Sequence, residues 1–171
     1  MARSRTLPAA LLSAALLLAA TVGHAQSNID PAKAFAWGEN IGWINFRPSA
    51  ELGVVVSSTH LQGWAWGENV GWIYLGDGPD NGIAYTQTSG DTGVNNDGAG
   101  NLSGFAWGEN IGWINFDTSS VGASQVTIDP VTGQFAGYAW GENVGWINVG
   151  TPQGVAQLVE SDVPDWSVMA Y

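Results

Sequence analysis

The 171-residue chain contains no cysteine, so disulfides, thiolate metal sites and thiol nucleophiles are all excluded. Cations are nearly as scarce. Four Lys and Arg face fifteen Asp and Glu, for a formal net charge of −11, which disfavours nucleic acid and anionic bilayers as partners. The histidines are only two, His24 and His60, and no serine sits in a G-x-S-x-G elbow. Beyond Val22 no apolar run is long enough to span a bilayer, and no window carries a helical apolar period.

What is present begins with a leader. Arg3 and Arg5 precede the apolar stretch Leu7 to Val22, and Gly23-His24-Ala25 ends it with small residues where a signal peptidase reads. Residues 1–25 are therefore predicted to be a signal peptide cleaved near Ala25, giving a secreted, extracellular or periplasmic product. A membrane span is a weaker reading: the stretch holds about 16 residues against the roughly 20 a bilayer needs, and Pro8 lies inside it. Cleavage would leave Lys33 and Arg47 against fifteen carboxylates. Such a surface suits a divalent cation or a neutral partner such as a polysaccharide, or serves solubility alone.

The segment AWGEN[I/V]GWI occurs four times, as Ala36–Ile44, Ala65–Ile73, Ala106–Ile114 and Ala139–Ile147. The first Trp of successive copies are 29, 41 and 33 residues apart, so tandem units of about 35 residues are the basis of the architecture. They span approximately 26–47, 48–76, 77–117 and 118–150 of a single domain, 26–171, with 151–171 as a closing segment. Upstream of the nonamer, Val94 to Phe105 parallels Val126 to Tyr138, and Val54 to Trp64 is a shorter version. The first unit keeps only Ile29-Asp30-Pro31 before Phe35, which predicts a missing first strand.

Runs of β-branched and aromatic residues separated by turn residues predict an all-β fold with about three antiparallel strands per unit. In the fourth unit these are Gln125–Ile128, Phe135–Trp140 and Gly145–Val149. Taking Gly141-Glu142-Asn143-Val144 as a four-residue loop pairs Trp140 with Gly145 and Ala139 with Trp146. Each sheet face then covers a small residue with an indole, and both faces need burial. That assigns Trp37, Trp43, Trp66, Trp72, Trp107, Trp113, Trp140 and Trp146 to the repeat core. The units would be stacked or closed as a compact propeller-like domain, the tail supplying the strand that the first unit lacks. A sandwich or prism of packed hairpins is the alternative.

The motif [G/A]-[F/Y/W]-AWGEN-x-GWI resembles the tandem Trp-rich repeats, of GYAWGENIGWI type, of uncharacterised exported bacterial proteins. The resemblance covers nearly all of the chain after residue 25. It implies export and brings no activity, cofactor or binding residue.

The chemistry-bearing residues are few. Glu39-Asn40, Glu68-Asn69, Glu109-Asn110 and Glu142-Asn143 read as structural loop pairs, the Asn tolerating a left-handed turn and the carboxylate accepting loop amides. A catalytic group is needed once, not four times. Asp77, Asp80, Asp91 and Asp97 stand in Gly- and Asn-rich segments resembling an oxygen-rich calcium loop without its terminal Glu. Calcium is thus the one cofactor considered, against none. Aromatics that break the repeat, Tyr74, Tyr85 and Trp166, are the candidate ligand-binding residues. The resulting expectation is a non-enzymatic exported module that binds a glycan or extracellular polymer. A structural cell-surface spacer, which could self-associate, is the alternative, and a glycoside-active enzyme the third reading.

Overall fold

A computed structural model describes residues 26–122, 124–151, 154–155 and 158. The leader expected over 1–25 lies outside these residues, as do Trp166 and most of the closing segment.

The chain is all-β, as its patterning predicts. Its strands are β1 (Phe35–Gly38), β2 (Gly42–Asn45), β3 (Val55–Val56), β4 (Leu61–Gly67), β5 (Gly71–Gly76), β6 (Val94–Asn96), β7 (Leu102–Gly108), β8 (Gly112–Asn115), β9 (Thr127–Ile128), β10 (Phe135–Ala136), β11 (Tyr138–Gly141), β12 (Gly145–Asn148), β13 (Gly150–Thr151) and β14 (Gly154–Val155). Each nonamer forms one hairpin: β1–β2, β4–β5, β7–β8 and β11–β12. Neighbouring hairpins pair in turn, β2 with β4, β5 with β7, β8 with β11 and β12 with β1, so the strands close into an antiparallel ring. The short strands β3 and β6 attach to β4 and β7, outside the ring.

This barrel replaces the expected propeller-like closure. A propeller's blades pack face to face, whereas these hairpins share backbone hydrogen bonds edge to edge, which removes every free edge from the ring. Among the described residues the ring is sealed by β1 against β12, while the tail bridges to the first unit at Ile29 and Leu158 and packs β14 near β1. Among the described residues the first unit lacks the flanking strand that the second and third possess.

The stagger fixes the barrel's size. Trp43 faces Trp37 within its hairpin, but across the next junction Asn45 faces Trp66. The level of Trp43 is therefore reached on β4 two residues beyond Trp66. The offset recurs at Tyr74/Trp107, Asn115/Trp140 and Asn148/Trp37, making eight residues over the circuit. Eight strands with a stagger of eight give a tilt of about 36° and an interior that side chains just fill.

The residues that fill it are the small and branched ones. Ala36, Ala65, Ala106 and Ala139 face Ile44, Ile73, Ile114 and Ile147 across the hairpins, and all eight are buried. Phe46, Leu75, Phe116 and Val149 follow, also buried. The interior retains a void of ≈ 20 Å³ lined only by apolar side chains, about the room of a single water with no polar group to hold one. At the other end the loop residues Ile41, Val70, Ile111 and Val144 turn inward and are buried.

The indoles are outside. Six of the eight repeat tryptophans are 37–47% exposed, and Trp43 and Trp146 share their face, which overturns their assignment to the core. Only three residues separate the paired glycines of each loop, so Trp140 faces Trp146 and Ala139 faces Ile147. A loop counted as four inverts both faces, because side chains alternate with a period of two. Gly145 belongs to the ladder. Its φ of +77° supplies the left-handed step that leaves the loop, which a β-carbon would strain. Gly137, at φ +92°, divides the expected strand Phe135–Trp140 into β10 and β11. A β-carbon there would run into the Gln125 carbonyl.

Candidate functional site

With a filled interior, the barrel's outer wall, ends and loops are the surfaces open to a partner among the described residues. Each hairpin presents two tryptophans edge to face, with ring centroids 4.6–4.9 Å apart: Trp37/Trp43, Trp66/Trp72, Trp107/Trp113 and Trp140/Trp146. A further ring extends each pair, Phe35, Trp64, Phe105 or Tyr138, at 6.1–6.3 Å from the second Trp. Such contacts contribute about 0.5–1.5 kcal/mol each beyond area burial, and they hold the rings in fixed orientations.

The stagger arranges these rings into rows that run across two hairpins. Three rows carry an amide: Tyr138, Asn148, Trp37, Trp43; Phe35, Asn45, Trp66, Trp72; and Phe105, Asn115, Trp140, Trp146. The fourth is aromatic throughout, Trp64, Tyr74, Trp107, Trp113, because Tyr74 takes the place of Asn. Tyr74 packs on Trp64 with centroids 4.8 Å apart.

Open depressions accompany the rows. One, of ≈ 310 Å³, is lined by Tyr74, Asp77, Gly90, Thr92, Phe105, Trp107 and Trp113. Another, of ≈ 460 Å³, is lined by Trp37, Glu39, Ser124, Tyr138, Trp146 and Asn148. A third, of ≈ 250 Å³, lies among Leu52, Trp64 and Trp72. Each of the first two sets aromatic rings beside one carboxylate and, among the described residues, is lined by no Lys or Arg. In the first, the Tyr74 hydroxyl bonds to Asp77, and burial together with that neighbouring charge drives the phenol well above its ordinary pKa.

The other sequence candidates fall elsewhere. Tyr85, expected to contact a ligand, is 3% exposed. Its hydroxyl donates to the Leu61 carbonyl at 3.0 Å and accepts from the Gly78 amide at 2.8 Å, and burial pushes it up to about 12. It is the internal pin of the 76–93 insertion. Lying outside the repeat made it look free, but the insertion folds over it.

The four aspartates do not form a cluster. Among the described residues no group of three or more acidic or histidine side chains is placed to hold a metal ion. Asp91 instead organises the insertion, accepting from the Thr86 amide (2.9 Å) and hydroxyl (2.8 Å) and from the Asp80 amide (3.2 Å). The Thr86 bonds hold its carboxyl below the usual range. Asp97 lies in the turn after β6. Burial opposes its ionisation but is outweighed by bonds from the Asn101 side chain and the Ala99 and Asn101 amides, leaving its pKa lowered.

The loop asparagines have a role that sequence reasoning missed. Asn69 donates to the Ile41 carbonyl, Asn110 to Val70, Asn143 to Ile111 and Asn40 to Val144, at 3.0–3.1 Å. Each loop is thus tied to the preceding one, and the ties close a circle. None of these asparagines adopts a positive φ; the glycine two residues on does so. The paired glutamates stand exposed on the rim. His60 belongs to a local turn, its Nδ1 at 3.2 Å from Ser57 Oγ and 3.0 Å from Thr59 Oγ1.

No helix among the described residues is long and apolar enough to cross a membrane. No family model matches the chain, and neither a curated protein nor a solved structure matches it.

Proposed function

We propose that this protein is an exported, non-catalytic module that binds an extracellular polysaccharide along the aromatic wall of its barrel. The observation that carries this reading is the outward placement of the repeat tryptophans around an interior with no room for a ligand. Half-exposed indoles in contiguous rows are the kind of exposed apolar surface that marks an interaction site. Their flat faces suit the apolar faces of sugar rings, and the interleaved Asn45, Asn115 and Asn148 offer amide donors and acceptors for hydroxyls. Adjacent strands lie about 4.8 Å apart, so a row over four strands spans roughly 14 Å, room for a few sugar rings in succession. Export rests on the leader expected over residues 1–25.

Intrinsic fluorescence tests this directly, since the rings that would bind are the rings that emit. Titration with soluble polysaccharides is expected to quench or blue-shift the emission, and Trp107→Ala to reduce the response to oligosaccharides. Sedimentation over a range of concentrations separates the competing reading. Assembly that grows with protein concentration, with no sugar altering the emission, would replace recognition by self-packing of the aromatic wall.

A further inference from the structure

The depression at the junction of the second and third hairpins departs from the molecule's own symmetry in two ways. Tyr74 replaces the Asn found at its three equivalents, completing the only row made wholly of rings. The insertion between β5 and β6 then brings Asp77, Gly90 and Thr92 to the same place. The residue that breaks the repeat and the segment that breaks its length thus converge on one groove.

We infer that this groove selects a glycan bearing free amino groups, the ammonium of an amino sugar seated between the ring faces of Tyr74, Trp107 and Trp113 and the carboxylate of Asp77. This deepens the polysaccharide reading and rests on it. Aromatic faces carry the negative part of the ring quadrupole and attract a cation within reach of them. Asp77 adds a carboxylate to the same groove, beside the Tyr74 hydroxyl. Among the described residues no basic side chain lines the groove to compete for Asp77 or to welcome uronate, sulfate or phosphate. The surrounding field has the same sign, with fifteen acids against four basic residues in the chain, and it would raise the local concentration of a polycation. The groove at the opposite junction repeats the combination of rings with one acid, Glu39. A neutral sugar would leave the carboxylates without a charge partner, and an acidic one would be repelled.

Calorimetric titration of the full protein at pH about 5.5, where a sugar amine is protonated, tests the inference. The probes are a fully deacetylated glucosamine oligomer, its N-acetylated counterpart and a glucose oligomer of equal length and linkage. The deacetylated oligomer is expected to bind about tenfold more tightly at low salt, a preference that shrinks as added salt screens it. Asp77→Asn, which keeps the side-chain shape, is expected to cost the amino oligomer about fivefold and the neutral oligomers nothing. Glu142→Gln, which removes one charge from another hairpin, should leave both unchanged. Equal affinity for amino and neutral oligomers, or indifference to Asp77→Asn while Trp emission still reports binding, would overturn charge selection and leave the polysaccharide reading in place. Failure of all three oligomers and of polysaccharides to bind would overturn both.

Discussion

The two faces of the barrel wall are equally repetitive for opposite reasons. Inside, Ala and Ile recur because eight strands staggered by eight leave a space that only a small residue opposite a branched one will fill. Outside, Trp recurs with no space to fill, six of the rings keeping more than a third of their surface in water. Identity in every copy therefore does not report burial. It reports a constraint, which on the inner face is volume and on the outer face is something other than burial.

Truncating neighbours on the two faces is the strongest way to break that comparison. Ile114→Ala removes a side chain that is 2% exposed and packed beside an existing apolar void, and is expected to cost about 2–5 kcal/mol. Trp113→Ala removes the adjacent, larger side chain, 47% exposed, and is expected to cost only about 1–2 kcal/mol through lost edge-to-face contacts. Denaturant midpoints measured with unchanged slopes check the ranking. An outer substitution as damaging as the inner one would return the indoles to a structural role.

That ranking was not legible in the sequence, and the cause is one residue. The all-β class, the four hairpins and the incomplete first unit follow from period-two patterning, turn residues and spacing. The face of every side chain follows from the parity of the loop in GENIG, and parity depends on whether the second glycine is loop or ladder. Gly38 and Gly42 are directly paired, which nothing in composition announces. Once the register is known, the remainder follows: the loop Ile plugs the end, Asn is left to reach its neighbour, and Trp faces out. Tyr74 was legible as a departure from the repeat, and the structure places it in a groove. Tyr85 was singled out by the same logic and is buried, because only the folded insertion shows what covers it.

A smaller effect is expected from the circle of asparagine bonds, which touches neither face. Asn110→Ala deletes the tie from the third loop to the Val70 carbonyl, worth about 1 kcal/mol as a neutral hydrogen bond, or a fall in Tm of about 2–4 °C. Because the ties close on themselves, opening any one of them leaves an open chain of three. Asn40→Ala, Asn69→Ala and Asn143→Ala should therefore match it. Removing a second tie should cost less than the first if the closed circle is itself cooperative. Strict additivity in the double variant would show four independent bonds instead.

The smallest effect separates wall from groove by pH. The interior void is lined, among the described residues, by apolar side chains with nothing to titrate, whereas the insertion beside the Tyr74 groove hangs on Asp91. The folded pKa of Asp91 lies below its ordinary value of 3.8, through the Thr86 amide and hydroxyl and the Asp80 amide. The folded state therefore binds fewer protons than the unfolded one in that window. The contribution of Asp91 is complete above the ordinary value and is lost as pH falls through the lower folded one. Asp97 and Asp129, also lowered, lie in connections outside the ring and act in the same direction. Acidification from pH about 6 to about 3 should thus release amide protection over residues 77–93 before β7 and β8 exchange, and Asp91→Asn should produce the same local release at neutral pH. Simultaneous loss of protection in the insertion and the ring would mean that the groove's support is part of the barrel's own folding unit. The specificity of the outer wall could then not be altered without altering what holds the inner one together.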